Sequence, residues 1–406
     1  MNNILTMLLA GGKGERLYPL TLNRAKPAVP FGGQYRIIDF TLSNCINSNL
    51  KKIAVLTQYK SLSLDRHIHR GWNIVNAEMG EFLFTLPPQQ RIGLDWYRGT
   101  ADAIYQNMYV IEHENPEYLL VLSGDHIYRM NYYEMYKYHI DKKANATIGV
   151  IEMEREKGRD FGIIEVDKDF RVTGFQEKPE DPKPAHTNPD ISFMSMGVYL
   201  FNTRVLTKYL EKDFPRDTSH DFGRNIIPDM IEDCAIYAYN FKDENKKEAK
   251  YWRDIGTIDA YFEANLDLVS VNPLFNLYEK GWPVRTYQGQ YPPAKFVFAQ
   301  EFDGGRLGIA LDSIVCGGCI ISGGRVQRSV LSPNVRINSY ADIRESILME
   351  NVEIGRYSRI KNTIIDKDTE IPPDTEIGYD QKKDRDRFYV TPSGVVVVTR
   401  DMLHNY

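Results

Sequence analysis

The last third of this chain carries a spacing that few architectures tolerate. Aliphatic residues recur every six positions at Ile314, Ile320 and Val326, again at Ile337, Ile343 and Met349, then at Ile354 and Ile360, and finally at Ile365, Ile371 and Ile377. An amphipathic helix repeats near 3.6 residues and a strand at two, so neither fits. The period predicts a β-helix, in which one short strand and one turn recur per face and each coil stacks its aliphatic residue on the next. Phase slips between the blocks leave the number of coils open. Beyond Lys382, the run Val395–Val398 follows a Pro392-Ser393-Gly394 turn and predicts a terminal hairpin.

Upstream the texture is different. Short β-rich runs at Ile4–Leu9, Ile53–Thr57, Tyr118–Leu122 and Ala146–Glu152 alternate with helical patterns at Ser61–Arg70 and Asn131–Lys143. Such alternation predicts an α/β domain with a mostly parallel sheet and crossover helices. Gly162–Val166 and Val172–Glu177 read as strands paired about the Asp167-Lys168-Asp169 turn, Ser195–Phe201 repeats the pattern, and the proline-rich stretch Glu180 to Pro189 reads as an exposed loop. A helix is expected from Ile258 to about Ser270. Pro283, Pro292 and Pro293, with two glycines, then mark a linker, so the expected organisation is an α/β domain over 1–280, a linker over 281–294 and the β-helix with its hairpin over 295–406.

Composition narrows the function. At roughly 100–200 residues per domain, 406 residues suit two or three domains, and 42% apolar content supports real cores. Fifty basic side chains against 55 acidic ones, net −5, give no broad positive field, so nucleic acid is not an expected partner and any phosphate site must be local. No window approaches the roughly 18 apolar residues of a membrane span. The stretch Ile4 to Ala10 has no basic flank and is short for a secretory leader, so it reads as a first buried strand. The four cysteines, Cys45, Cys234, Cys316 and Cys319, make no disulfide scaffold and fit a reducing cytoplasm.

The chemistry is concentrated after that first strand, in Leu9-Ala10-Gly11-Gly12-Lys13-Gly14-Glu15-Arg16, continuing to Ala25-Lys26-Pro27. Glycines at the end of a strand let backbone N–H groups approach a phosphate closely. The dinucleotide fingerprint is broken by Leu17, and no Gly-Lys-Ser/Thr follows to make a Walker loop. Glycines alone are equally well explained by a structural turn; the full string Gly-x-Gly-x-Arg-x-x-Pro-x-Thr-x-x-x-x-Lys-Pro is more specific, because it sets Arg16 and Lys26 at fixed offsets from the loop. Lys26 and Lys178 each precede a proline, which biases them to extended backbone and projecting side chains. Asp125 follows the apolar run Leu119–Leu122 through Ser123-Gly124, which places it at the carboxyl end of a strand, where ligands bind in open α/β sheets.

This string resembles that of the sugar-phosphate nucleotidyltransferases. Further segments sharpen the likeness toward the glucose-1-phosphate adenylyltransferase branch: Phe31-Gly-Gly-Gln-Tyr-Arg36, Leu42-Ser-Asn-Cys-Ile-Asn-Ser, Trp96-Tyr97-Arg98-Gly99, Ser123-Gly-Asp125-His126, Glu177-Lys178-Pro179, Ser195-Met-Gly, Ser219-His-Asp-Phe-Gly and Tyr251-Trp-Arg-Asp254. The resemblance spans Met7 to about Leu403. It implies a Rossmann-like nucleotidyltransferase domain, a C-terminal left-handed parallel β-helix, and the transfer of an adenylyl group from ATP to glucose 1-phosphate for α-glucan synthesis. It further implies Mg2+ on Asp125 and Asp254, and Arg16 and Lys26 on the triphosphate. Gly11, Gly12, Gly14, Gln58 and Gly99 would line the ATP site. Tyr97, Gly162, Glu177, Lys178 and Ser195 would take glucose 1-phosphate.

The resemblance also implies a tetramer, of identical chains or with a related subunit. His126 reads as structural, since a phosphate nucleophile is already ionised. Three rival readings remain. A β-helix acyltransferase would want a histidine that this region lacks, a nucleotidyltransferase for another nucleotide sugar would lose the branch-specific segments, and a regulatory subunit would have lost the charged site residues. Cys316-Gly-Gly-Cys319 has metal-like spacing but no second pair, so turn or core cysteines are expected. Relatives activated by fructose 1,6-bisphosphate tend to carry a lysine and a histidine near the Ala-Lys-Pro segment, where this chain has Asn23 and Pro30 although it keeps Arg36, so a weak or different activator response is expected.

Overall fold

A computed structural model describes residues 3–89, 96–243 and 248–403. The chain forms two compact units that interleave along the sequence, one of residues 1–12, 41–61 and 68–252, the other of residues 13–40, 62–67 and 253–406.

The first unit is built on a nine-stranded sheet. Its strands are β1 (Ile4–Leu9), β2 (Lys52–Leu56), β3 (Phe82–Leu86), β4 (Tyr118–Ser123), β5 (Ala146–Glu154), β6 (Gly162–Val166), β7 (Val172–Glu177), β8 (Ile191–Asn202) and β9 (Ile236–Asn240). The sheet order is β7-β6-β8-β4-β1-β2-β3, with β5 pairing β8 and β9. β1 is apolar apart from the buried Thr6, with Leu5, Met7 and Leu8 fully buried, as a strand covered on both faces requires. It runs parallel to β2 and β4, and β2 runs parallel to β3. β8 lies antiparallel beside β4 and carries a bulge between Ser195 and Tyr199, where Gly197 takes φ +64°.

β3 and β9 escaped the sequence reading. Phe82–Leu86 is an edge strand of half-exposed residues, and Ile236–Asn240 lies close to turn signals. Helices α1 (Thr100–Tyr105), α2 (Tyr132–Asp141) and α3 (Thr203–Asp213) belong to this unit, and α3 contributes Leu206, Tyr209 and Leu210 to the core. The helix expected at Ser61–Arg70 forms at Leu62–Gly71.

In the second unit the repeat resolves into three parallel sheets. Ile321, Ile337, Ile354 and Ile371 make one inward column; Val326, Ile343, Ile360 and Ile377 make the next; Leu331, Leu348, Ile365 and Val398 make the third, all buried. From Val326 onward, residues 17 apart pair between coils. Each full coil therefore has two six-residue sides and one five-residue side, which is the origin of the phase slips. Because of that short side, Ile314 and Ile320 stay half-buried outside the columns, and Leu348 rather than Met349 points inward.

The corners need left-handed backbone. Asn334, Asn351 and Asp368 supply it at φ 62°, 61° and 58°, a conformation that short polar side chains tolerate, and their side chains bond in a ladder at 3.3 and 2.8 Å. The buried hydroxyls of Ser329 and Ser346 accept the backbone N–H groups of Ser346 and Thr363, one coil on in each case. The expected hairpin forms, Tyr389–Val390 against Val396–Val398, and the latter strand stacks in parallel on Thr363–Ile365. Among the described residues, no helix is long and apolar enough to cross a membrane.

The segment 13–40 belongs to this second unit and is fastened to it by a buried bidentate pair, Arg24 Nη1 and Nη2 to Asp366 Oδ1 and Oδ2 at 2.8 and 2.9 Å. Removing one partner of such a pair strands the other without solvent, at a cost of roughly 3–5 kcal/mol. Arg24→Met is expected to lower the urea unfolding midpoint clearly, and Arg24→Met/Asp366→Leu to regain most of the loss; a single variant as stable as the parent would contradict this.

Candidate active site

Three adjacent parallel strands of the first unit, β2, β1 and β4, end together. Gly11 and Gly12 follow β1, Gln58 follows β2, and Asp125 follows β4. Backbone bonds from Ala10 N to Leu56 O and from Gly124 N to Leu9 O tie the three ends at 2.9 and 3.0 Å. A Cβ on Gly11 would stand 3.0 Å from Gln58 Cβ, so the close approach of this turn depends on glycine. Gly12 is different. Nothing lies within 4 Å of its Cβ direction and its φ is not positive, so its glycine is not required by packing or backbone. Gln58 Nε2 donates to Tyr97 O at 3.4 Å, which places Tyr97 beside this end of the sheet.

Asp125 is braced by its neighbours. Ser123 Oγ donates to Asp125 Oδ1, and His126 Nε2 lies 3.4 Å from the same oxygen. The His126 ring packs on Trp252 at 4.9 Å between centroids, which suits a supporting role for the imidazole. Asp125 keeps about a quarter of its side chain exposed (26%), so its carboxylate is a hard oxygen donor open to a divalent cation.

Of the sugar-phosphate candidates, Gly162, Glu177 and Ser195 sit on β6, β7 and β8, Lys178 follows β7, and Tyr97 precedes α1. Glu177 pairs with Gly162 across the antiparallel hairpin. Cβ atoms built on Gly162 and Gly223 would lie 3.2 and 2.9 Å from Glu177 Oε2, so the carboxylate rests over two glycines that leave it room. Burial, then the charge of Asp221, push the Glu177 carboxyl above the ordinary carboxylate range. If the ionised form accepts sugar hydroxyls, affinity is complete above that raised value and lost as pH falls through it. The acid limb of kcat/KM for glucose 1-phosphate is therefore expected above the usual carboxylate position. Glu177→Gln should keep only the limb of the substrate phosphate itself, near pH 6. Identical profiles for the two proteins would reject the role.

Lys178 departs from expectation. Its backbone is left-handed at φ +49°, not extended, and its N–H bonds Phe161 O at 3.1 Å. The proline that follows restricts the residue before it but does not override this hydrogen bond. The side chain is about half exposed, with Nζ 3.7 Å from Glu177 Oε1. Ser195 Oγ meets Tyr199 OH at 3.2 Å across the β8 bulge, and Tyr97 OH accepts from Asn107 Nδ2 at 2.9 Å. Gly99 earns its glycine by packing: its φ is −160°, and a Cβ would fall 2.1 Å from Ser219 O. Asp221 has a role that the sequence alone does not assign. It caps the turn Phe222–Ile226 by accepting from Gly223 N and Arg224 N and also accepts from Thr100 Oγ1, so the Asp-Phe-Gly spelling was the available signal.

Gly14, Arg16, Lys26 and Asp254 belong to the second unit. Gly14 has φ +65°, and its Cβ would lie 2.8 Å from Lys26 Cβ, so the glycine loop backs directly onto that lysine. Lys26 does not project from a loop as expected. It opens a 3-10 turn, Lys26–Ala28, because Ala25 takes the extended cap position and Pro27 falls in the first turn, where it is tolerated. It is largely buried and bonds Asp254 Oδ1 at 2.9 Å. A Cβ on Gly256 would lie 2.6 Å from Asp254 Oδ2 and 3.2 Å from Arg16 Nη2, so the guanidinium and the carboxylate flank one glycine. This group carries two cations around one carboxylate, an arrangement suited to polyphosphate.

Cys319 is buried and Cys316 half-buried, and burial raises their thiols to about 11 and about 12.

A glycine turn and an acidic residue at neighbouring parallel strand ends, with a glycine-backed carboxylate farther along the same sheet, are the features of a nucleotidyl-transferring α/β enzyme. Residues 5–271 match the nucleotidyl transferase family model, and residues 292–398 match the GlmU-like C-terminal hexapeptide model. Proteins named glucose-1-phosphate adenylyltransferase are similar along nearly the whole chain. The one from Koribacter versatilis is 56% identical over 99% of this chain and 96% of its own length. The one from Rhodopirellula baltica is 55% identical over 98% and 90%. Glucose-1-phosphate adenylyltransferase 2 of Vibrio cholerae is 50% identical over 98% of both. The chain belongs to the glucose-1-phosphate adenylyltransferase family of nucleotidyltransferases.

Proposed function

We propose that the chain catalyses the reaction of ATP with glucose 1-phosphate to give ADP-glucose and pyrophosphate, supplying a glucosyl donor for glycogen synthesis. The observation that carries this reading is the convergence of Gly11, Gln58 and Asp125 at the carboxyl ends of β1, β2 and β4, where a nucleotide fits an open α/β sheet. A glucose 1-phosphate oxygen attacks the α-phosphorus in line, one P–O bond forms, and the bond to pyrophosphate breaks. No proton need be removed from the nucleophile.

The protein's work is positioning and charge compensation. Gly11, Gly12 and Gly14 admit the triphosphate, with Gln58 and Gly99 toward the base. Arg16 and Lys26 hold the β- and γ-phosphates and steady the leaving pyrophosphate. Glu177 receives sugar hydroxyls, Lys178 grips the sugar phosphate, and Tyr97, Gly162 and Ser195 shape the rest of that pocket. Asp125 and Asp254 would hold Mg2+, which when bound screens phosphate repulsion and polarises the reacting phosphoryl oxygens. Their carboxylate oxygens suit that ion. Lys26, which bonds Asp254, keeps that carboxylate oriented between rounds of nucleotide binding.

The assignment carries a catalytic domain over 1–280, a linker over 281–294, the β-helix over 295–406, a cytoplasmic location, and a tetramer of identical chains or with a related subunit. Initial rates of pyrophosphate release with glucose 1-phosphate and each nucleoside triphosphate test the activity. ATP should be preferred clearly. Preference for UTP or GTP would move the chain to another nucleotide sugar, and no release with any triphosphate would make it a regulatory subunit.

A further inference from the structure

The Ser219-His220-Asp221-Phe222-Gly223 segment holds a buried device that the reaction itself does not use. His220 is buried, and its Nδ1 meets Asp213 Oδ2 at 2.7 Å; Asp213, also buried, is the last residue of α3. Thr218 Oγ1 donates to Asp213 Oδ1 at 2.9 Å and accepts His220 N–H at 3.1 Å, closing a three-residue latch. His220 Nε2 has no partner among the described residues, so the ring is anchored through Nδ1 alone.

The latch fixes a carbonyl. His220 is left-handed at φ +48°, a backbone state uncommon for a residue that carries a Cβ. In that state its C=O accepts Ala101 N–H at 2.9 Å and Asp102 N–H at 3.2 Å, the first turn of α1. The same crossing explains Gly99, whose Cβ would fall 2.3 Å from His220 O. On the other side, Asp221 bonds Thr100 Oγ1 at 2.9 Å and Gly223 N at 2.9 Å, and Gly223 is one of the two glycines under the Glu177 carboxylate. The carbonyl of one strained histidine thus joins the Tyr97–Gly99 segment to the shelf beneath Glu177.

We propose that His220, held by Asp213 and Thr218, is a positioning residue for the sugar-phosphate pocket, setting Tyr97 and Glu177 relative to each other without touching substrate. This rests on the reading of that pocket given under Proposed function. A merely structural histidine would lower stability and the active fraction but leave the substrate constants of the surviving enzyme alone. Here His220→Ala and Asp213→Asn should each raise KM for glucose 1-phosphate about tenfold or more, with a clearly smaller rise in KM for ATP, whose proposed site shares Gly99 with this crossing. His220→Asn is the rescue. Its amide Nδ2 stands where Nδ1 stood and Asn tolerates left-handed backbone, so KM should return to within about threefold of the parent. The test is steady-state kinetics on the full chain with both substrates varied, alongside thermal unfolding. An unchanged KM for glucose 1-phosphate, an equal rise in KM for ATP, or no recovery in His220→Asn would overturn the proposal. Absence of pyrophosphate release in the parent protein would instead fail the functional reading, so the two failures are separable. Should His220→Ala not fold, Asp213→Asn and His220→Asn carry the same comparison.

Discussion

Asp125→Asn should leave a folded protein that binds both substrates and turns over about a hundred to a thousand times more slowly. An amide keeps the shape and the Ser123 contact but loses the charge that would hold the cation screening phosphate repulsion, and losses of that size are usual when one preorganised electrostatic partner is removed. Because the loss falls on the transition state, kcat and kcat/KM should drop together. The check is a full kinetic comparison at saturating Mg2+. Near-normal turnover there would remove Asp125 from the reaction.

Lys178→Ala produces the second large effect, on a different constant. The Nζ is half exposed and 3.7 Å from Glu177 Oε1, a contact too long and too wet to contribute much stability. Its loss should hardly move the unfolding midpoint. With substrate bound, the lysine would make a charge-assisted contact of about 1.5–3 kcal/mol, so KM for glucose 1-phosphate should rise about ten- to a hundredfold. An unchanged constant would reject the grip on the sugar phosphate. Arginine at 178 should recover only part of the loss, because its planar fork replaces a point charge on a left-handed backbone.

How far the sequence led can be seen residue by residue. β1 was legible because a short run of five apolar residues broken only by Thr6 and followed by a glycine turn has few other readings, and the apolar run Leu119–Leu122 of β4 before Asp125 is read the same way. The β-helix was legible from its period. Its five-residue side was not, because a register shift of one moves the inward position from Met349 to Leu348, and both are apolar. Lys26 and Lys178 were misjudged for a related reason. Proline biases the residue before it, but a 3-10 turn at one position and a backbone bond to Phe161 at the other prevailed over the bias. The β3 strand was missed because an edge strand has no strict alternation to betray it. Asp221 and His220 were visible as letters in a motif, but their roles depend on α1 and α3, more than a hundred and fewer than ten residues away respectively, and only folding brings Thr100 and Asp213 to them.

The central claim is direct transfer: the sugar phosphate displaces pyrophosphate from the α-phosphorus in a single in-line step. The stereochemistry at that phosphorus tests it most directly. With one diastereomer of the α-thio analogue of ATP and glucose 1-phosphate, the ADP-glucose analogue should form with inverted configuration at phosphorus. Retention would require two displacements through an enzyme-bound nucleotide and would contradict the account.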